Sequence, residues 1–166
     1  MSKLLYLEAP YGHKLKVNSA FLAGGITNCP NWQEEVLEEL RDLFPKFGFI
    51  NDICIMNPRR KHFDISKKEE SSIQILWEYQ SINYHSNVFS IWFSEGPSDQ
   101  PITLFELGAA LYKFEPENIC IGLDPGYKRA FDVETQVRLK YPSKKIVTTK
   151  KEHAINILKA LKRFDN

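Results

Sequence analysis

The sequence predicts an α/β domain in which a parallel sheet carries helices on both faces. Three observations predict it. Short apolar runs such as Val88–Phe93 and Ile119–Leu123 recur along the chain. Segments with apolar residues at helical spacing separate them. Gly- and Pro-rich breaks fall between the two kinds of segment. Strands joined through helices form βαβ units, and their right-handed crossovers place helices on both sides of the sheet. The 166 residues suit one domain, 1–166, with a full core.

Leu4–Leu7 is the first strand candidate, ended by Pro10 and Gly12. Lys16–Ala23 reads as a buried strand that stops at Gly24-Gly25. Asn31 then has the form of a helix N-cap, with Glu34 three residues on. Trp32, Val36, Leu37, Leu40 and Phe44 follow at helical spacing until Pro45 stops the helix. Phe49–Met56 is the next strand, followed by Asn57-Pro-Arg-Arg60 and a polar stretch to about Ser66. Glu69–His85 is helical by period, with Ile73, Leu76, Trp77, Gln80 and Tyr84 on one face. Val88–Phe93 is a strand and Ser94–Pro101 a loop. Thr103–Phe114 is a helix with Leu104, Leu107 and Leu111 inward. Ile119–Leu123 is a strand, Asp124-Pro-Gly126 a turn, Asp132–Lys140 a helix, Ile146–Thr148 a short strand and Lys151–Phe164 a final helix.

Composition narrows the function classes. The net charge is +1 with basic residues scattered, which gives no electrostatic case for a nucleic-acid or membrane binder. Cys29, Cys54 and Cys120 stand far apart, so neither a disulfide framework nor a zinc cluster is implied, and a reduced cytoplasmic compartment is expected. His13, His62, His85 and His153 lack metal-ligand spacing, so no metal is expected. The start of the chain does not read as a signal peptide, and no apolar run reaches the ~20 residues a spanning helix needs.

In a parallel α/β sheet, ligands sit where strands end and helices begin. Glu106 stands at such a place, in Pro101-Ile-Thr-Leu-Phe-Glu-Leu-Gly108. Two roles are open to it. It can complete a capping box with Thr103, or it can attack an electrophilic carbon, kept ionised by the helix N-terminus. Asp99 lies just upstream. A second carboxylate near a nucleophilic one can be held protonated by like charge and serve as an acid, or it can be a solvated turn residue. Gln74 and Glu78 share a helix face four residues apart, able to contact a heterocycle or simply to face solvent. Gly24 and Gly25 admit close ligand approach or make a tight turn. Asn57, Arg59 and Arg60 can orient hydroxyls and bind phosphate. Asp132 and Gln136 open another helix, Asp132 as a possible N-cap. Tyr11, Trp32 and Tyr127 lie where rings can line a pocket.

Taken in order, Phe21-Leu-Ala-Gly-Gly-Ile26, Asn57-Pro-Arg-Arg60, Gln74-Ile-Leu-Trp-Glu78, the Phe-Glu-Leu-Gly helix start and Asp124-Pro-Gly-Tyr-Lys-Arg129 resemble the nucleoside 2-deoxyribosyltransferase-like family over roughly residues 18 to 140. The resemblance implies a flavodoxin-like sheet of about five parallel strands that binds a nucleoside at the strand ends. It implies that Glu106 attacks C1′ of a 2-deoxyribose while a protonated acid helps the base to leave, with no cofactor. A second base or water then takes the sugar. It also implies a homo-oligomer in which a neighbour helps close the pocket. The family's Asp six positions before the nucleophile is replaced here by Gln100, with Asp99 one step earlier, and an Asp before the central strand by Asn87. The acid role then falls to Asp99 or Glu78, and Gln100 joins the substrate-binding candidates. Hydrolysis of a deoxynucleoside or its 5′-monophosphate, and an inactive nucleotide-binding sensor, stay open beside base exchange.

Overall fold

The computed structural model describes residues 1–13, 16–61 and 67–166. His62 and the end of the polar stretch to Ser66 lie outside the described residues. The strands are β1 (Leu4–Glu8), β2 (Asn18–Gly24), β3 (Ile53–Asn57), β4 (Val88–Phe93), β5 (Ile119–Leu123) and β6 (Ile146–Val147). The helices are α1 (Trp32–Leu43), α2 (Lys68–Gln80), α3 (Pro101–Lys113), α4 (Ala130–Lys140) and α5 (Lys150–Lys162). The sheet is 6-stranded in the order β1-β3-β2-β4-β5-β6, and every strand pair is parallel. Without β1 the order is that of the flavodoxin-like doubly wound fold. β1 extends that sheet at its edge, alongside β3.

Both sheet faces are apolar because both are covered. Phe21 and Ala23 of β2 and Phe89, Ile91 and Phe93 of β4 pack with Trp77 of α2, Leu107 and Leu111 of α3, and Val133 and Val137 of α4. The alternate residues Ala20, Leu22, Val88 and Trp92 pack with Trp32, Val36 and Leu40 of α1 and Ile157, Leu158 and Leu161 of α5. α1 is capped as expected, with Asn31 Oδ1 accepting from the Glu34 amide at 3.4 Å. At α5, the Thr149 hydroxyl caps the helix, accepting from the Glu152 amide at 3.2 Å and donating to the Glu152 carboxylate at 3.0 Å.

Two expected elements differ. The strand expected over Phe49–Met56 begins only at Ile53. The buried Asp165 carboxylate accepts the Ile50 and Asn51 amides, each at 2.8 Å, and so holds that stretch against the C-terminal segment rather than in the sheet. The helix expected over Glu69–His85 is α2 followed by a π-helical turn, Ser81–His85. Its inward face carries Gln74, Trp77 and Ser81, whereas Ile73, Leu76 and Tyr84 are exposed.

The sheet order reverses at the boundary between β2 and β4, the strands that lead into α1 and α3. These helices lie on opposite faces, so a crevice opens beyond the strand ends at that point.

Candidate active site

Glu106 rises beside this crevice from the second turn of α3. Gln100 is the N-cap residue, with φ 53°, and Pro101 opens the helix. Thr103 is therefore inside the helix and no capping box forms. Among the described residues the Glu106 carboxylate has no hydrogen-bond partner, and it is half-buried. Burial, and then the charge of Glu78, push its pKa up to about 8. The expectation that the helix end keeps it ionised is corrected here. A helix dipole contributes about 0.3–1 kcal/mol and fades within the first turn, which is less than one pKa unit.

Glu78 approaches from α2. It is half-buried, and burial raises its pKa, partly offset by the Gln74 amide. Gln74 Nε2 donates to Glu78 Oε1 and to the Pro58 carbonyl, both at 2.7 Å. The like-charge coupling foreseen for Asp99 thus operates between Glu106 and Glu78. Asp99 itself is half-exposed and paired with Lys128 at 2.9 Å and with Arg129 at 3.9 Å. The Lys128 hydrogen bond holds its pKa below the usual carboxylate value, so it is not a protonated acid.

The remaining candidates build the walls. Gln100 is buried, accepts the Gly25 amide at 3.2 Å and donates to the Ser94 carbonyl at 2.7 Å, tying the ends of β2 and β4 together. A carboxylate at this place could not make the second bond. A Cβ on Gly24 would strike the Trp32 ring, and one on Gly25 would strike Cys29 and Gln100. These glycines make room for protein atoms. Asn57 donates to the Tyr6 hydroxyl at 2.9 Å and accepts the Arg59 amide at 2.9 Å.

Protein acceptors take up the Nε and Nη2 of Arg59. Its Nε donates to Gln33 at 2.9 Å, and its Nη2 faces the carbonyls of Gly25, Ile26, Cys29 and Pro30, the last at 2.7 Å. Arg60 lies 3.6 Å from Glu70. Asp132 is exposed in the first turn of α4, where Arg129 is the N-cap residue and pairs with it at 3.3 Å. Trp32 and Tyr127 are core residues, while the Tyr11 ring is exposed. Sequence reasoning missed Gln33 and Tyr6. Gln33 is buried in α1, and Tyr6, its hydroxyl pushed up to about 12 chiefly by burial, is the middle residue of β1. A polar residue beside Trp32, Val36, Leu37 and Leu40 on the buried face of α1 was the available signal for Gln33.

Two surface grooves of about 740 and 270 Å³ open elsewhere. Both lie at the opposite, N-terminal edge of the strands, and neither contains Glu106 or Glu78. Among the described residues no His, Cys, Asp and Glu cluster could hold a metal ion, and no helix is long and apolar enough to cross a membrane.

The model of a family described as nucleoside 2-deoxyribosyltransferase like matches residues 17–126. No curated protein matches the chain significantly.

Proposed function

The chain belongs to the nucleoside 2-deoxyribosyltransferase-like family, and on that premise we propose that it exchanges the base of a 2′-deoxynucleoside through a covalent glycosyl-Glu106 intermediate. Two half-buried carboxyls carry this reading, Glu106 with its pKa raised by burial and by the charge of Glu78, and Glu78 with its own raised by burial. Two carboxyls that share one proton supply a nucleophile and an acid from one site. In the free protein burial places that proton on Glu106. A base whose ring nitrogen faces Glu78 draws it there and leaves Glu106 ionised. A Glu106 oxygen then bonds to C1′ as the C1′–N bond breaks, and the Glu78 proton passes to the departing base. The transition state is oxocarbenium-like, and the missing 2′-hydroxyl destabilises it less than a ribose would. An incoming base attacks the same face and returns its proton to Glu78.

The committed guanidinium of Arg59 favours the free nucleoside over its 5′-monophosphate as substrate. The free thiols of Cys29, Cys54 and Cys120 accord with work in the cytoplasm.

Incubation of deoxyadenosine with excess isotopically labelled adenine is expected to give labelled deoxyadenosine. Release of adenine without incorporation would make the protein a hydrolase. The pH profile is expected to be bell-shaped. Exchange falls at low pH, where both carboxyls hold protons and no nucleophile remains. It falls again above about 8, where the pair has lost its last proton and the base departs without an acid. A rate that keeps rising beyond pH 9 would contradict the shared proton.

The outer faces of α2, α3 and α4 support a homo-oligomer. Ile73, Leu76, Ile102, Phe105, Tyr112, Phe131 and Leu139 are each more than half exposed, Phe105 at 76%. Exposed large apolar side chains in such number are what an interface would cover, and Phe105 adjoins Glu106 in the chain. A second copy seated there would close the pocket. Light scattering is expected to show a dimer or larger, and Phe105→Asp to give monomers with at least tenfold less exchange. A monomeric wild type would overturn this part.

A further inference from the structure

We propose that Gln74 reads the base, and that the preferred substrates are 6-aminopurine deoxynucleosides rather than their 6-oxo counterparts. This rests on the acid role of Glu78 proposed above. Gln74 is 7% exposed. Its amide orientation is fixed by chemistry, because the Pro58 carbonyl 2.7 Å away can only accept. The atom facing it is therefore the NH2 nitrogen, which also holds Glu78 at 2.7 Å. Turning the amide over would set two acceptors against each other at Pro58.

Gln74 Oε1, on the same amide carbon, is buried and accepts no hydrogen bond from any group among the described residues. A buried acceptor of this kind calls for a donor. The site thus offers a proton from Glu78 and, next to it, a fixed acceptor from Gln74. The edge of adenine presents the complement, N7 as acceptor and the N6 amino group as donor; a 6-oxopurine presents two acceptors there. With adenine, the Glu78 proton moves to N7, the electrons of the C1′–N9 bond go to the base, and N6–H donates to Gln74 Oε1 throughout. With a 6-oxopurine, O6 faces Oε1 and the amide cannot turn to meet it.

The test compares kcat/KM for deoxyadenosine and deoxyinosine, which differ at this group, in the wild type and in Gln74→Met. The wild type is expected to favour deoxyadenosine on the order of 10- to 100-fold. Gln74→Met, which keeps the volume and removes the acceptor, is expected to bring the ratio to within about threefold of one. A residue that only positioned Glu78 would lower both values together and leave the ratio unchanged, and that result overturns the assignment. Calorimetry of adenine and hypoxanthine binding to Glu106→Ala gives an independent reading, with adenine expected to bind more tightly and equal affinities counting against the proposal. Equal turnover of both nucleosides by the wild type overturns the base assignment and leaves the catalytic reading standing. Turnover of neither overturns both.

Discussion

Glu106→Gln is expected to lower base exchange by at least about 10³-fold and, in the same protein, to raise stability at pH 8. The two effects have one cause. Glu106 has a pKa of about 8 in the folded chain, pushed up by burial and by Glu78, against about 4.3 when unfolded. Between these values the folded state keeps a proton that the unfolded state has released. The contribution is therefore fully present below about pH 4 and is lost as pH rises through 8, at up to about 1.4 kcal/mol per pH unit. A glutamine is neutral throughout and removes that slope. His153, buried and held neutral with its pKa lowered to about 3, gives the opposite slope at lower pH, and the comparison of variant with wild type cancels it. Urea unfolding at pH 5, 6.5 and 8 checks the prediction. Parallel curves for wild type and variant would show that Glu106 is not the group that titrates.

Arg59→Ala is expected to cost about 3 kcal/mol or more of stability and to leave the preference between nucleoside and 5′-monophosphate unchanged. The guanidinium joins Gln33 to the loop that follows β2, through the carbonyls of Gly25, Ile26, Cys29 and Pro30. Removing it takes a donor from the half-buried carbonyls of Ile26 and Cys29 and the partner from the buried Gln33 oxygen, where the Gln33 nitrogen already has none among the described residues. Lysine is not expected to rescue the loss, because one ammonium cannot reproduce the planar fork. Urea unfolding and kcat/KM on both substrates check this. Unchanged stability with a selective loss of 5′-monophosphate turnover would make Arg59 a phosphate ligand instead.

The sheet was legible because its strands are buried on both faces. Val88–Phe93 and Ile119–Leu123 read as unbroken apolar runs, and they form β4 and β5 with those bounds. The face read along α2 is split, since Trp77 packs inward beside the polar Gln74 while Ile73, Leu76 and Tyr84 are exposed. Periodicity finds an apolar stripe but does not say whether the chain itself or another molecule covers it. The protonation of Glu106 was not legible, because its pKa is raised first by burial and then by Glu78, which the fold supplies from a different helix. Arg59 and Gln100 carried the chemistry of ligand binding in the sequence. Their hydrogen bonds are long-range contacts that no local pattern encodes.

Rapid quenching of the wild-type protein with deoxyadenosine, followed by digestion and mass spectrometry, tests the nucleophile most directly. The peptide that contains Glu106 is expected to gain the mass of one deoxyribosyl group, lost again on adding free adenine and absent in Glu106→Gln. Base exchange at full rate with that peptide never labelled, or with the sugar on another residue, would contradict the account.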